Sequence, residues 1–238
     1  FSTGRMENTN KKVHYWKQDL SNVSVDELTQ FMEGVDVVFH TAAKARVQPS
    51  IDDPITYNQH NVNATLNVLY AAHKAGVKRV VYSASSSAYG DTTEFPTPET
   101  AAANPMSPYG LQKYIGEQYV LRRCKSKNIV LRPAQILGQG MSNQSLHRLK
   151  YYLEKNLFFY INDKNSIWSF TDINDIFKIL DLIIKKKIHY NGSINLASTI
   201  ELFKLIKIIK NKYSIISFQP TLNLKFLNTL IKPLDFIG

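Results

Sequence analysis

The sequence has little cysteine and no long apolar run. Its single cysteine, Cys124, excludes a disulfide within the chain and predicts a reduced, non-catalytic thiol in a cytoplasmic protein. The longest mostly apolar stretches, such as residues 179–184, are far shorter than the roughly 20 residues of a membrane-spanning helix. Residues 1–5 lack the apolar segment of a secretory signal. We therefore expect a cytoplasmic protein without a transmembrane segment.

Acidic residues are scarce in the second half of the chain. Residues 1–119 hold 10 Lys and Arg against 12 Asp and Glu, whereas residues 120–238 hold 19 against 7, so the second half is responsible for the net charge of +10 of the whole chain. These lysines mostly alternate with Ile and Leu at helical spacing, without the interleaved aromatic residues of a strand-binding surface. We expect solvated helix faces and no nucleic-acid partner; binding of an anionic substrate or surface is the alternative.

Apolar strand-like runs alternate with helical patterns up to about residue 138. Strands that alternate with helices of this length pair in parallel through right-handed crossovers, which predicts an α/β, doubly wound parallel sheet. Ser24 and Glu27 form a capping box at one helix start, and Asp53 with Pro54 begins another. The predicted strands are residues 13–20, 35–40, 78–84 and 128–132, and the predicted helices are residues 24–33, 53–75 and 108–125. The second of these helices has an apolar stripe at Val62, Leu66, Leu69 and Tyr70, which we expect to be its buried face.

The alternation of strand-like and helical patterns becomes less regular after Gly140. Amphipathic helices are predicted at residues 145–155, 172–187 and 200–212, and we expect them to pack on the sheet or on each other rather than on a membrane. The chain thus divides into a sheet-forming domain at residues 1–140 and a smaller, mostly helical region at residues 141–238.

A serine-rich turn and a Tyr-x-x-x-Lys pair carry the chemistry. The apolar run of residues 80–82 leads into Ser83-Ala84-Ser85-Ser86-Ser87, and Tyr109 and Lys113 follow on one face of a helix. Tyr-x-x-x-Lys alone is a weak signal, because chance surface pairs are frequent. Its position after a strand and a serine-rich turn, at the start of a helix, makes it a candidate catalytic pair.

This combination suits hydride transfer at a secondary alcohol. A free tyrosine titrates near 10, and the charge of Lys113 is expected to lower the pKa of Tyr109. The phenolate could then take the proton of a hydroxyl group as hydride leaves the carbon. Ser85, at the carboxyl end of a parallel strand, would hydrogen-bond the same oxygen.

Several ordered motifs between residues 1 and 138 resemble the extended short-chain dehydrogenase/reductase family, specifically its nucleoside-diphosphate-sugar epimerases of the UDP-glucose 4-epimerase type. The motifs are Phe1-Ser2-Thr3-Gly4-Arg5, Gln18-Asp19-Leu20, His40-Thr41-Ala42-Ala43, Ala45-Arg46-Val47-Gln48-Pro49-Ser50, Asn61-Val62-Asn63-Ala64-Thr65, Ser85-Ser86-Ser87-Ala88-Tyr89-Gly90 and Ser107-Pro108-Tyr109-Gly110.

The resemblance implies a Rossmann-like domain that holds NAD throughout turnover, a nucleotide-sugar substrate epimerised at C4, and a homodimer formed through residues 54–75 and 108–125. It implies catalytic roles for Ser85, Tyr109 as the base and Lys113, which would also hold the nicotinamide ribose. The other implied contacts are Asp19 and Leu20 at the adenine, Thr41, Ala42 and Ala43 at the pyrophosphate and ribose, His60 at the cofactor, and Ser87 and Gln135 at the sugar; Asn61 is expected to be structural.

Sugar dehydratases that resemble this pattern carry an Asp-Glu pair where this chain has Ser86 and Ser87, so we expect no dehydration. The sequence departs from the family pattern at three other points, one of which is Pro133-Ala134-Gln135 in place of an aromatic residue and asparagine. None of the ten glycines forms the Gly-x-x-Gly-x-x-Gly turn for a pyrophosphate, and we expect about 30 to 35 family residues before Phe1. Trp168 stands where the family has an arginine for the substrate diphosphate. The alternatives are a dehydrogenase/reductase acting on another sugar or alcohol, and a non-catalytic fragment or degenerate homologue.

Overall fold

The computed structural model describes residues 9–123, 127–140 and 144–225, which divide into two compact units. The first unit comprises residues 1–130 with 190–192, and the second comprises residues 131–189 with 193–238. The motif at residues 1–5 and the thiol of Cys124 lie outside the described residues. The functional boundary at residue 140 stays a prediction.

The first unit has the predicted alternation of strands and helices. Its sheet begins with β1 (Val37–His40) beside β2 (Arg79–Ser83), paired in parallel with Val37 opposite Arg79. The strand order continues through β3 (Ile129–Pro133) to β7 (Gly192–Leu196), both of which the division between units crosses. Its helices are α1 (Val25–Phe31), α2 (Val47–Asp52), α3 (Pro54–Asn58), α4 (Ala64–Lys74) and α5 (Pro108–Arg123).

Local signals define most of these helix ends. The Ser24 hydroxyl accepts a hydrogen bond from the Glu27 amide, and the Glu27 carboxylate accepts one from the Ser24 amide, so the predicted capping box is confirmed. The Asp53 carboxylate caps α3 at the Thr56 amide, 3.1 Å away. Gly76 follows α4 with a positive φ of 72°, which glycine adopts without steric cost.

The long predicted helix at residues 53–75 contains a π-helical turn at Gln59–Asn63, between α3 and α4. Such a turn inserts one extra residue and rotates the helix face that follows. The buried face of α4 therefore lies at residues 64, 65, 68, 69, 71 and 72. The apolar stripe predicted for this helix is right at Val62 and Leu69 but wrong at Leu66 and Tyr70, which are exposed.

The predicted strand at residues 13–20 is not formed. A strand needs a hydrogen-bonded neighbour, and within the described part of the sheet β1 is the terminal strand, so residues 13–20 belong to no ladder. Val13 and Tyr15 are half exposed, whereas Trp16 stacks on Phe31 of α1 with ring centroids 4.6 Å apart. The core of this unit packs α1 and α4 on the sheet through residues 28, 68, 72, 80, 82, 120 and 130.

The second unit contains the three predicted helices and several short strands that the sequence analysis missed. The helices are α6 (Gln144–Glu154), α7 (Ile173–Ile184) and α8 (Leu202–Tyr213). A three-stranded sheet pairs β6 (Ile167–Asp172) with β4 (Gln135–Leu137) in parallel and with β8 (Ser198–Glu201) in antiparallel orientation. A second small sheet pairs β5 (Tyr160–Ile161) with β9 (Thr221–Leu222).

The region after residue 140 is therefore less helical than predicted. Ile200 lies in β8 rather than at the start of a helix, because it pairs with Trp168 of β6. The core of this unit contains Leu153, Tyr160, Ile206 and Ile209. Among the described residues, no helix combines the length and the apolar character needed to cross a membrane.

Candidate active site

The serine-rich turn begins where β2 ends. Ser85 caps a short 3₁₀ turn at Ser86–Ala88, and its hydroxyl oxygen accepts a hydrogen bond of 3.2 Å from the Ser87 amide. The hydroxyl oxygens of Ser85 and Ser87 are 2.5 Å apart. This turn fixes the orientation of the Ser85 side chain at the carboxyl end of the sheet, the edge where open α/β sheets bind their ligands.

Gly110 brings helix α5 against this turn. A Cβ atom at residue 110 would lie 2.7 Å from the backbone oxygen of Ser87, closer than packed side chains allow. The glycine therefore permits a contact that places Tyr109, one residue earlier, beside Ser85. The Ser85 hydroxyl is close enough to the Tyr109 phenol to lower its pKa, and the Tyr109 amide donates to the Ser50 hydroxyl at 3.0 Å.

The pKa of Tyr109 is raised, chiefly by burial; the Ser85 hydroxyl opposes this effect and the nearby Tyr57 adds to it. The expected lowering of this pKa by the charge of Lys113 is not found, because Lys113 is not among these causes. Lys113 is itself only 3% exposed, and burial lowers its pKa to about 7, so its charge is only partly present at neutral pH. Its ammonium lies over the Tyr82 ring, 4.5 Å from the centroid.

A buried polar network lies beneath the ammonium of Lys113. The Thr65 hydroxyl donates to the Asn61 carbonyl oxygen at 2.6 Å and therefore accepts from Nε2 of His40 at 2.9 Å. Burial, reinforced by the charge of Lys113, lowers the pKa of His40 to about 3, so the ring is neutral. The hydroxyl of Tyr82 has no hydrogen-bond partner among the described residues.

Asn61 anchors the loop that follows β1. Its side-chain oxygen accepts from the Lys44 amide at 2.7 Å, and its side-chain nitrogen donates to the Lys44 carbonyl at 3.1 Å and to Gln112 of α5 at 3.0 Å. This agrees with the structural role expected for Asn61. Residues 41–43, the predicted pyrophosphate and ribose loop, are small and exposed just before this anchor.

Two residues predicted to contact the cofactor also contact each other. Nε2 of His60 lies 3.4 Å from a carboxylate oxygen of Asp19, and Nδ1 of His60 donates to the Thr56 carbonyl at 2.8 Å. The Asp19 carboxylate accepts hydrogen bonds from the amide and the hydroxyl of Ser21. The hydrogen bond from the Ser21 amide is the main cause of the lowered pKa of Asp19. Leu20, next to it, is partly buried. Their contacts to NAD stay predictions.

Gln135 lies in the second unit, where its sugar contact stays a prediction. It occupies β4 opposite Phe170 of β6 and is partly buried. Trp168, which the resemblance places at the family's arginine position, stacks on Phe170 with ring centroids 5.6 Å apart. An indole offers one neutral donor and cannot replace a bidentate guanidinium at a phosphate.

Sequence reasoning assigned no role to three residues that hold the site together. Ser50, Tyr57 and Gln112 are buried and hydrogen-bond to the Tyr109 amide, the Ala45 carbonyl and the Asn61 side chain, respectively. The only signal in the sequence is that these polar residues lie on predicted helices. Their burial cannot be known until the helices are packed.

The chain is similar to known proteins in both sequence and fold. Residues 2–197 match the model of the NAD dependent epimerase/dehydratase family. The chain is 30% identical over 217 residues to a putative UDP-glucose 4-epimerase of Methanocaldococcus jannaschii, covering 87% of this chain and 71% of that protein. The fold is similar to the UDP-N-acetylglucosamine 4-epimerase of Methanobrevibacter ruminantium M1, with a TM-score of 0.76, 27% identity and coverage of 93% and 75%, respectively.

The chain therefore belongs to the NAD dependent epimerase/dehydratase family. The predicted family, its NAD cofactor and the Rossmann-like α/β fold class are confirmed. The fold is also that of the UDP-glucose 4-epimerase of Thermotoga maritima, with a TM-score of 0.76 at 24% identity, covering 93% of this chain and 75% of that one.

Proposed function

We propose that this protein epimerises a nucleotide-sugar, a UDP-hexose, at C4 in an NAD-dependent reaction. The observation that carries the proposal is the proximity of the Ser85 hydroxyl to the Tyr109 phenol, with Lys113 buried one helical turn along the same face of α5. Relatives named as 4-epimerases of UDP-glucose and UDP-N-acetylglucosamine support the substrate class. The cytoplasmic location expected from cysteine usage is part of this proposal.

In the proposed reaction, Tyr109 accepts the proton of the sugar 4-hydroxyl group, and Ser85 hydrogen-bonds the same oxygen. When bound, NAD would supply the reversible hydride transfer at C4 that inverts this centre. Tyr109 then returns the proton to that oxygen, so that no proton is consumed over the cycle. Ser87 holds the Ser85 hydroxyl in position throughout.

The residues of the first unit fit the cofactor. Lys113 is a buried amine with a depressed pKa, and hydroxyl groups of a ribose would supply the hydrogen-bond acceptors that favour its charged form. Residues 41–43 form a loop of small side chains at the carboxyl end of β1, open to close approach of a ligand. Asp19 and Leu20 would border the adenine, with His60 beside them.

The first test replaces the proposed base. Tyr109→Phe should reduce epimerisation of UDP-glucose and UDP-N-acetylglucosamine by at least about 1000-fold while leaving NAD bound, because only the proton acceptor is lost. Tyr114→Phe on the same helix is the matched control. Conversion is followed by chromatography of the two 4-epimers without added NAD.

The remaining outcomes separate the alternatives. Activity retained in Tyr109→Phe would show that the base is elsewhere. Product that forms only with stoichiometric external NAD would identify a dehydrogenase. A protein that binds neither NAD nor UDP-sugars would be a non-catalytic homologue.

A homodimer through α4 and α5 is also proposed. Leu66 and Tyr70 on α4 and Leu111 on α5 are exposed apolar side chains on helices that the resemblance places at a dimer interface. A groove of about 320 Å³ beside them is lined by Val25, Leu66, Asn67, Leu69, Tyr70, His73 and Tyr119. A second copy of the chain would cover this apolar surface.

A further inference from the structure

Arg46 has an unusual backbone conformation. Its φ is 87° and its ψ is 139°, close to a region that is nearly restricted to glycine. The other described non-glycine residues with positive φ, Asn156, Asn162, Lys186 and Ser214, have φ between 53° and 59°, within the left-handed helical range. Backbone strain of this kind persists only where the surroundings enforce it, and it clusters at functional sites.

Three buried side chains enforce this conformation. Asn61 holds both the amide and the carbonyl of Lys44. The Tyr57 hydroxyl donates to the Ala45 carbonyl at 2.8 Å, and the Ser50 hydroxyl donates to the Val47 carbonyl at 2.6 Å. The backbone is therefore fixed on both sides of residue 46.

The same side chains connect Arg46 to the catalytic pair. The Ser50 oxygen that donates to Val47 also accepts from the Tyr109 amide at 3.0 Å. The phenol of Tyr57 is close enough to that of Tyr109 to raise its pKa. The backbone around residue 46 is therefore linked to Tyr109 through Ser50 and Tyr57.

The side chain of Arg46 is exposed, and its guanidinium makes no hydrogen bond or ion pair with another described residue. A guanidinium is permanently charged and binds carboxylate or phosphate oxygens in bidentate fashion. A sugar nucleotide always carries such oxygens, whereas the family's arginine for the substrate diphosphate is Trp168 here.

We propose that Arg46 binds an oxyanion of the sugar nucleotide, either its diphosphate or a carboxylate on the sugar. The inference rests on the proposed function, because it names a recognition residue of that site. A fixed backbone lowers the entropic cost of holding the guanidinium in place.

Calorimetric titration of the full chain with UDP, UDP-glucose and UDP-glucuronic acid tests this assignment. Arg46→Gln should weaken binding about 10-fold or more, and Arg122→Gln on the exposed surface of α5 should leave it unchanged. An equal loss for all three ligands identifies the diphosphate as the anion. A loss confined to UDP-glucuronic acid identifies the sugar carboxylate. Affinities within twofold of wild type for all three would overturn the proposal.

Arg46→Gly separates charge from backbone strain. This variant should bind as weakly as Arg46→Gln but melt at a higher temperature, because glycine adopts φ of 87° without strain. Wild-type affinity in Arg46→Gly would overturn the proposal. So would an affinity for NAD that falls 10-fold while the affinities for the sugar nucleotides stay unchanged.

The two proposals fail separately. A wild-type chain that shows the predicted affinity pattern without epimerisation would refute the proposed function and leave the role of Arg46 intact. Epimerisation by the wild type together with unchanged binding in Arg46→Gln would refute the role of Arg46 and leave the proposed function intact.

Discussion

At the scale of single residues, burial rather than sequence spacing decides the chemistry of the site. Tyr109 and Lys113 are both buried, and burial opposes the charged form of each. The spacing of the pair suggested that the lysine activates the tyrosine. The structure instead shows two buried groups whose charged forms are both disfavoured by desolvation.

Lys113 should therefore make the free energy of unfolding depend on pH in the alkaline range. Its pKa is about 7 in the folded chain and near 10.5 when unfolded, so between these values the unfolded chain binds the extra proton. The free energy of unfolding contributed by this residue should rise by several kcal/mol from pH 7 to 10.5, at about 1.4 kcal/mol per pKa unit. Chemical denaturation of wild type and Lys113→Met across this range measures the difference; parallel curves for the two proteins would contradict the prediction.

Tyr82 offers a second test at the residue scale. Its buried hydroxyl lacks a hydrogen-bond partner among the described residues, while its ring lies under the Lys113 ammonium. Removing an unsatisfied buried hydroxyl relieves a desolvation cost of about 1–3 kcal/mol. Tyr82→Phe should therefore be as stable as wild type or more stable, and NAD binding should persist.

Tyr82→Leu is the matched comparison. It removes the ring as well and should weaken NAD binding, because the position of Lys113 is no longer supported by a cation–π contact. Destabilisation of Tyr82→Phe by more than about 1 kcal/mol in a denaturant titration would show that the hydroxyl is bonded.

At the scale of elements, the site depends on how closely α5 approaches the serine-rich turn. Gly110 makes this approach possible, since a side chain there would meet the backbone of Ser87. The sequence motif contained Tyr109-Gly110 but gave no reason for the glycine. The reason is the close contact between α5 and the serine-rich turn.

Gly110→Ala should separate Tyr109 from Ser85 and lower kcat by about 10- to 100-fold, the scale of loss expected when a catalytic group is misplaced by about 1 Å. Gly76→Ala is the control. Residue 76 has a positive φ and no neighbour within 4 Å of an added Cβ, so its variant should lose stability but retain activity. Equal kcat values in wild type and Gly110→Ala would show that the contact is dispensable.

At the scale of the whole molecule, the π-helical turn has a consequence for assembly. By rotating α4 it turns Leu66 and Tyr70 outward, where they border the groove beside α5. The sequence pattern assigned these two residues to the core. Their exposure favours an interface between two copies.

Replacing Leu66 and Tyr70 together by lysine should convert a dimer into a monomer, since buried like charges across a two-fold axis repel. Light scattering during size-exclusion chromatography reads the mass directly. Phe95→Lys, at a more exposed aromatic residue elsewhere in this unit, should leave the mass unchanged. A wild-type mass of about 27 kDa at micromolar concentration would refute the dimer.

The sequence by itself determined the local features of this protein. The Ser24 capping box, the helix start at Asp53 and Pro54 and the placement of Tyr109 and Lys113 on one helix depend on neighbours within four residues. The ordered motifs also sufficed to identify the family and its NAD cofactor. These are short-range properties, which helical geometry fixes without knowledge of the rest of the chain.

The tertiary structure alone decided the properties that depend on distant residues. The bond from the Tyr109 amide to Ser50 spans 59 positions, and the bond between Asn61 and Gln112 spans 51. The lowered pKa of Lys113, the outward turn of Leu66 and Tyr70 and the enforced backbone of Arg46 likewise follow from packing. Burial and long-range hydrogen bonds arise only when separated segments meet, so no local pattern could have shown them.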